Sequence, residues 1–299
     1  MLEKLLSSTT EKFLFDQQKT DQLYQALHSR YGKNTDPWGL NLNNSKKAFR
    51  VAAPIYKNYF KTRVFGAENV EDRPYVVISN HSGQIPFDAM ILTCAFLLDV
   101  LPPRVMRAMV ERFVSTLPFF SNFVNQNGCV LGDRTNCTQL LKRGESVLVF
   151  PEGVKGISKS TQNFYNLQSF TKGFYRLAVK SGVQILPVAV VGAEEFYPLV
   201  YHPRKMAKKL GLPGLPITPL FPFGGPLGAI PLPSPVDVII GKPYTPPESI
   251  SLSSSDEDIA NEVQVIEKIV SQLITKGFEN RRPFWATKLV DTLKEISKK

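Results

Sequence analysis

The most informative stretch of the chain reads Tyr75-Val-Val-Ile-Ser-Asn-His-Ser-Gly-Gln-Ile-Pro-Phe-Asp88. Its first five residues are mostly β-branched or aromatic, which is typical of a buried strand, and the Asn, Ser and Gly that follow are turn formers. Pro86 suits the first turn of a helix, where its missing N–H is not needed. The pattern therefore predicts that His81 lies just beyond a strand and that Asp88 lies in the first turn of the next helix.

This placement gives His81 and Asp88 a chemical role. A carboxylate in the first turn of a helix is stabilised as an anion by the free backbone N–H groups, so it can orient an imidazole without taking its proton. An oriented imidazole beside a crevice is the arrangement that a general base requires. The sequence therefore predicts His81 as a catalytic base and Asp88 as its partner.

A second stretch, Val147-Leu-Val-Phe-Pro-Glu-Gly-Val-Lys-Gly156, repeats this design. An apolar strand ends at Pro151, and a carboxylate follows in a loop with two glycines. Open α/β sheets bind ligands beyond the carboxyl ends of their strands. Glu152 is therefore expected to share a crevice with His81.

With these residues in view, the chain resembles the glycerolipid acyltransferases, typified by the lysophosphatidic acid acyltransferases. Those enzymes carry a His-x4-Asp block and a Phe-Pro-Glu-Gly block, which resemble Asn80-His81 and Phe150-Pro-Glu-Gly153 here. Gly128-Cys-Val-Leu-Gly-Asp-Arg134 is similar to the family's second block with its arginine, and Ile185-Leu-Pro-Val-Ala-Val190 to its fourth. The resemblance covers roughly residues 66 to 245.

The resemblance is to a divergent branch, because six residues separate His81 from Asp88 where the usual motif has four. It implies transfer of a fatty acyl group from an acyl thioester, either acyl-CoA or acyl-carrier protein, to a glycerolipid hydroxyl, with no other cofactor. The implied acceptor is a lysophospholipid such as 1-acylglycerol-3-phosphate. Diacylglycerol or another neutral lipid is the alternative, and a non-catalytic peripheral membrane-binding protein is the alternative of another class.

Four further residues are predicted to bind substrate. The resemblance implies that Arg134 binds the acceptor's phosphate and that Glu152 and the Gly153 backbone position the acceptor. Lys155 follows in the same polar loop, from which a lysine could reach an anionic donor or acceptor. No metal site is predicted, because His and Cys residues do not cluster. A serine hydrolase is disfavoured because the sequence has no Gly-x-Ser-x-Gly elbow.

Strand and helix patterns alternate through the middle of the chain. At 299 residues and 43% hydrophobic content, the chain can bury a substantial core. The pattern predicts an α/β fold with a largely parallel central sheet flanked by helices, and with N-terminal and C-terminal helical extensions. The predicted segments are a membrane-associating helical part (1–65), an α/β acyltransferase domain (66–250) and a C-terminal helical extension (251–299). A linker is predicted over 33–45, and two helices over 257–297.

The net charge of +10 indicates an anionic partner, which could be membrane lipid, nucleic acid or a phosphorylated substrate. Residues 45–63 interleave basic residues with Phe49, Ile55, Tyr56, Tyr59 and Phe60. Such a helix can lie in a membrane interface, although a packing helix with a charged outer face is the plainer interpretation. Given the lipid substrate implied above, membrane lipid is the expected partner and nucleic acid is not.

The predicted membrane contact is peripheral. The N-terminus lacks the apolar core of a signal peptide, and no run reaches the roughly 18 apolar residues of a transmembrane helix. Three cysteines, Cys94, Cys129 and Cys137, form no paired pattern, which favours a reducing compartment. The expected location is therefore the cytoplasmic face of a membrane.

Overall fold

In the computed structural model of the protein, the described residues form a seven-stranded sheet. The structure describes residues 16–82, 85–112, 120–157, 159, 161–197, 228 and 230–284. The strands are β1 (Arg63–Phe65), β2 (Tyr75–Ser79), β3 (Arg107–Val110), β4 (Val130–Leu131), β5 (Val147–Val149), β6 (Gln184–Val191) and β7 (Asp237–Ile240). Their order across the sheet is β1-β7-β6-β2-β5-β3-β4, with β2 at its centre.

Strands β2 to β6 all run parallel to their neighbours within that group. β7 pairs antiparallel to β6, and β1 pairs parallel to β7, so the two strands at one edge are reversed. Parallel strands are normally buried on both faces, and every residue of β2 is buried. The predicted α/β fold with a largely parallel sheet is confirmed.

Helices cover both faces of the sheet. They are α1 (Gln17–Tyr31), α2 (Leu42–Pro54), α3 (Phe87–Leu98), α4 (Phe120–Gln126), α5 (Arg134–Lys142), α6 (Val154–Ile157), α7 (Gly173–Ser181) and α8 (Asp256–Glu279). One core cluster joins α1, α2 and α3 to the face that carries Val77, and the other joins α5, α7 and α8 to the face that carries Val76 and Ile78. Successive residues of β2 thus pack into the cores on opposite faces of the sheet.

The described helices of both predicted extensions pack into these same cores. In α1, Tyr24 and Leu27 are buried against the sheet layer. α8 begins with a capping box between Ser255 and Asp258, and its buried residues recur every three or four positions. Near its end, a Cβ on Gly277 would lie 2.6 Å from Val191, so glycine allows this helix to approach β6 closely.

Three rings of the basic, aromatic segment fit the packing interpretation. Phe49, Tyr56 and Phe60 are almost completely buried, so these rings are not available to a membrane. Their spacing of seven and four residues places them on one helical face, and that face packs on the core. Pro54 is accommodated where α2 passes into a π-helical turn over Ile55–Tyr59.

Some predicted segment bounds differ from those in the structure, and part of the predicted C-terminal helical region lies outside the described residues. The predicted linker ends early, because Asn41 caps α2 by accepting a hydrogen bond from the backbone N–H of Asn44. One helix, α8, is found within 257–284, and residues 285–299 lie outside the described part. Among the helices that the structure describes, none is long and apolar enough to cross a membrane.

Candidate active site

The two predicted strand ends lie side by side. β2 and β5 are paired parallel neighbours, with Ile78 opposite Val149, so both chains leave the sheet at the same edge. The His81 ring stacks on Phe150, the first residue after β5, with centroids 4.1 Å apart and planes 17° from parallel. The structure thus brings together the two stretches that the sequence singled out.

His81 and Asp88 form a hydrogen-bonded pair. Nδ1 of His81 lies 2.6 Å from Oδ2 of Asp88, whose side chain is completely buried in the first turn of α3. The same carboxylate accepts backbone N–H groups from Ser82 and Ala89, each at 2.8 Å. A carboxylate presents only acceptors, so a neutral imidazole bonded to it carries its proton on Nδ1 and its lone pair on Nε2.

Nε2 is the ring nitrogen of His81 that faces away from Asp88. The His81 side chain is 16% exposed, and no described residue hydrogen-bonds to Nε2. An imidazole with its tautomer fixed by a buried carboxylate can accept a proton at Nε2 from a bound hydroxyl. The geometry therefore suits general-base chemistry at this edge of the sheet.

Asn80 fixes the point at which the chain leaves β2. Its buried side chain accepts the backbone N–H of Val190 at 2.8 Å and donates to the carbonyl of Val190 at 3.0 Å. These two bonds continue the pairing between β2 and β6 through a side chain. The sequence identified Asn80 only as a turn former, because the neighbouring strand could not be known.

Glu152 is bound to groups of the protein itself. Its carboxylate is buried, and Oε1 accepts the backbone N–H of His81 at 2.9 Å. Oε2 accepts the backbone N–H of Gln168 at 2.7 Å and lies 2.8 Å from Nζ of Lys159. Both oxygens thus bind groups of the protein, and Oε1 supports the His81 turn; the predicted contact of Glu152 with an acceptor stays a prediction.

The backbone of Gly156 lies close to His81. A Cβ at this position would lie 2.8 Å from Cβ of His81 and 2.9 Å from Cβ of Glu152, closer than real Cβ contacts. Gly156 lies in α6, directly after the turn that carries Glu152. The sequence showed two glycines in this loop, but the contact that requires the second one depends on the fold.

Gly156→Ala is therefore expected to lower kcat, because the new methyl group must displace His81, and misplacement of a catalytic group by 1 Å can cost about a hundredfold in rate. We expect a fall of about ten- to a hundredfold in steady-state acyl transfer, with the circular dichroism spectrum retained. Gly173→Ala is the matched control, since no atom lies within 4 Å of its Cβ position. Equal turnover in the two variants would contradict the proposed contact.

The other predicted binding residues lie at the same edge but not all beside His81. Gly153 occupies the turn after β5 with a φ of +55°, and Lys155 is exposed on α6, next to Gly156. Arg134 is exposed at the start of α5, beyond β4. β4 is three strands from β2, which corresponds to roughly 14 Å at about 4.8 Å per strand. The structure groups Gly153 and Lys155 with His81 and places Arg134 farther along the edge.

A buried charge cluster lies behind the His81 turn. Nζ of Lys159 lies between the carboxylates of Glu152 and Glu194, at 2.8 Å and 3.1 Å. Burial raises the pKa of Glu194 to about 7, although the nearby Lys159 ammonium acts in the opposite direction. Neither Lys159 nor Glu194 is among the site residues predicted from the sequence. Within the described ranges, no three His, Cys, Asp or Glu side chains group as a metal site.

Comparisons with known proteins find acyltransferases among the relatives of this chain. Residues 61–191, from just before β1 to the end of β6, match the Acyltransferase family model. An uncharacterized protein of Mycobacterium tuberculosis is 33% identical over 231 residues, which are 76% of this chain and 64% of that protein. The chain thus spans slightly less than two thirds of this relative. A 1-acyl-sn-glycerol-3-phosphate acyltransferase of Chlamydomonas reinhardtii is 27% identical over 173 residues, 52% of this chain and 45% of that protein.

A solved structure shares the fold. The 1-acyl-sn-glycerophosphate acyltransferase PlsC of Thermotoga maritima superposes with a TM-score of 0.50 at 19% sequence identity, covering 92% of this chain and 93% of PlsC. The match to the family model includes both β2 with His81 and β5 with Phe150 to Gly153. The part of the chain that carries both predicted stretches therefore matches the Acyltransferase family, and the chain is similar to glycerolipid acyltransferases.

Proposed function

We propose that this chain transfers a fatty acyl group from an acyl thioester to a hydroxyl group of a glycerolipid, with His81 as the general base. One observation carries the proposal: Nδ1 of His81 lies 2.6 Å from the buried carboxylate of Asp88, at the carboxyl edge of a parallel sheet and within the residues matched to the family. In such sheets this edge is where ligands bind.

The chemistry is a direct transfer. The acceptor's hydroxyl oxygen attacks the thioester carbonyl carbon while Nε2 of His81 takes the hydroxyl proton. The C–S bond then breaks, and His81 returns the proton to the leaving thiolate. Asp88 keeps the ring in the tautomer that accepts at Nε2. A positioned base contributes about 10²- to 10⁴-fold, and holding both substrates together supplies further acceleration.

The proposed acceptor is a lysophospholipid such as 1-acylglycerol-3-phosphate. The activity named for the algal relative supports this choice. A phosphate-bearing acceptor and an acyl-CoA or acyl-carrier-protein donor are both anionic, which fits a chain of net charge +10 with Lys155 exposed beside the base. We further propose that the chain contacts anionic membrane lipid peripherally, since its acceptor resides there. Diacylglycerol is the competing acceptor.

The test is an assay of the purified protein with labelled acyl-CoA and with labelled acyl-carrier protein. Each donor is offered with 1-acylglycerol-3-phosphate, other lysophospholipids and diacylglycerol in mixed micelles. We expect transfer to the phosphate-bearing acceptors at the highest specificity constant. A folded protein that transfers no acyl group to any of these acceptors from either donor contradicts the proposal.

Arg134→Ala tests phosphate recognition. A charge-assisted hydrogen bond contributes about 1.5 to 3 kcal/mol, so its loss is expected to lower kcat/KM for 1-acylglycerol-3-phosphate about ten- to a hundredfold relative to diacylglycerol. Lys142→Ala, at the other end of α5, is the matched control and is expected to leave the ratio unchanged. An unchanged ratio in Arg134→Ala would exclude phosphate binding by this residue and favour a neutral-lipid acceptor.

A further inference from the structure

We propose that Lys159 and Glu194 are positioning residues for His81, acting through Glu152. The inference rests on the proposed role of His81 as the base and adds two residues that do not touch the substrate. The buried ammonium group of Lys159 binds the carboxylates of Glu152 and Glu194, which follow two strands, and thereby fixes the turn between those strands. We call these three side chains the clamp.

The strand order places the clamp around the base. β2, which leads into His81, lies between β6 and β5. Glu194 follows β6 and Glu152 follows β5, so their carboxylates belong to the strands on either side of β2. Nζ of Lys159 contacts both, at 3.1 Å and 2.8 Å. One side chain therefore joins the ends of the two strands that flank the catalytic turn.

The clamp reaches His81 through a single further bond. Glu152 uses Oε2 for Lys159 and Oε1 for the backbone N–H of His81, at 2.9 Å. The side chains of Glu152, Lys159 and Glu194 are only 0 to 3% exposed, so water does not compete for these contacts. A displacement of Lys159 would therefore be transmitted to the backbone of the base.

Glu194, the clamp carboxylate that does not contact His81, is hydrogen-bonded to the backbone of Tyr165. Glu194 Oε2 accepts the backbone N–H of Tyr165 at 2.5 Å, and Tyr165 holds a left-handed backbone with φ of +64°. The Tyr165 hydroxyl accepts the backbone N–H of Gly192 and donates to Glu195, which is paired with Arg281 at 2.7 Å. Glu194 is thus hydrogen-bonded to a segment that is itself bound to Gly192 and Glu195, so Lys159 links the His81 turn to that part of the fold.

The energetics favour orientation over stability as the reason for this arrangement. A buried ion pair commonly stabilises a protein no more than apolar side chains of similar size, because desolvation offsets the attraction. Burial lowers the pKa of the Lys159 ammonium, but the two carboxylates outweigh it and hold that pKa above its usual value. The group therefore stays charged and continues to bind both carboxylates.

The first experiment separates kcat from KM in Lys159→Met. We expect kcat per folded protein to fall about ten- to a hundredfold, while KM for donor and acceptor stays within about threefold, because the substrate contacts remain. Arg107→Met is the matched control. Arg107 is also fully buried and ion-paired, 2.8 Å from Asp36, but it lies at the amino end of β3, the opposite edge of the sheet. It is expected to lose stability and keep its kcat.

A second variant covers the case in which Lys159→Met does not fold. Lys159→Met leaves two carboxylates buried without their cation, which is strongly destabilising. The double variant Lys159→Met/Glu194→Gln removes one of these charges and keeps an oxygen that can accept the backbone N–H of Tyr165. We expect it to fold more stably than the single variant and to retain the low kcat.

The last readout needs no substrate. The chain has three histidines, His28, His81 and His202, so the Nδ1–H proton resonance of His81 can be assigned by its loss in His81→Ala. We expect this resonance to shift or broaden in both Lys159 variants and to stay in place in Arg107→Met. An unchanged resonance, or kcat within threefold of wild type, overturns the proposal. If His81→Ala retains activity while the His81 resonance shifts in the Lys159 variants, His81 is not the base, but Lys159 still positions it.

Discussion

His81→Ala is expected to lower kcat about 10²- to 10⁴-fold while the protein stays folded. The imidazole is the group that takes the proton from the acceptor hydroxyl, and no described residue hydrogen-bonds to its Nε2. Its removal should have little effect on stability, because the side chain lies in a turn beyond β2 and mainly contacts Phe150 and Asp88. The measurement is single-turnover acyl transfer with a labelled thioester, alongside a thermal melt.

His28→Ala is the matched control for this variant. His28 lies in the last turn of α1, where Nδ1 is 3.1 Å from the carbonyl oxygen of Gly32, and nearby Arg30 pairs with Asp72, which precedes the amino end of β2. Its loss is expected to leave kcat at the wild-type value. If folded His81→Ala turned over at the rate of His28→Ala, the base would have to be another group.

The local parts of this site could be predicted from the sequence. The strand over Tyr75–Ser79 and the helix over Phe87–Leu98 lie where composition and Pro86 predicted them, because their signals are contained within a few residues. Asp88 accordingly lies in the first turn of its helix. Nδ1 of His81 lies 2.6 Å from Oδ2 of Asp88 with six residues between them in the sequence.

The environment of an apolar helical face could not be predicted in the same way. Phe49, Tyr56 and Phe60 recur with a helical period beside basic residues, and this pattern fits both a membrane surface and a protein core. The sequence records that the face is apolar but not what covers it. In the folded chain the sheet layer covers it.

Contacts between distant segments were also beyond the sequence. Whether Glu152 faces a substrate or the protein depends on Lys159 and Gln168, and the position of Glu194 depends on β6 lying next to β2. Arg134 lies farther from His81 than the motif order suggested, because β5 and β3 separate β4 from β2. Strand order is a global property, and no short motif encodes it.

Asp88→Asn is expected to lower kcat on the order of 10²- to 10⁴-fold with the KM for the acceptor nearly unchanged. In the wild type, Oδ2 accepts from both Nδ1 of His81 and the backbone N–H of Ser82, while Oδ1 accepts from Ala89. An asparagine must present its NH₂ group to one of these positions. Directed at His81, that donor selects the tautomer with the proton on Nε2, which cannot accept a proton from the hydroxyl.

In the other orientation, the NH₂ group of the asparagine faces the backbone N–H of Ala89. A buried donor is then left unpaired, which costs about 1 to 3 kcal/mol of stability. Asp237→Asn is therefore the matched control, because Asp237 is equally buried but lies on β7, two strands from β2, where it pairs with Arg63 and Arg282. Both variants should lose stability, and only Asp88→Asn should lose turnover per folded molecule. Equal turnover in the two would show that His81 does not depend on Asp88 for its tautomer.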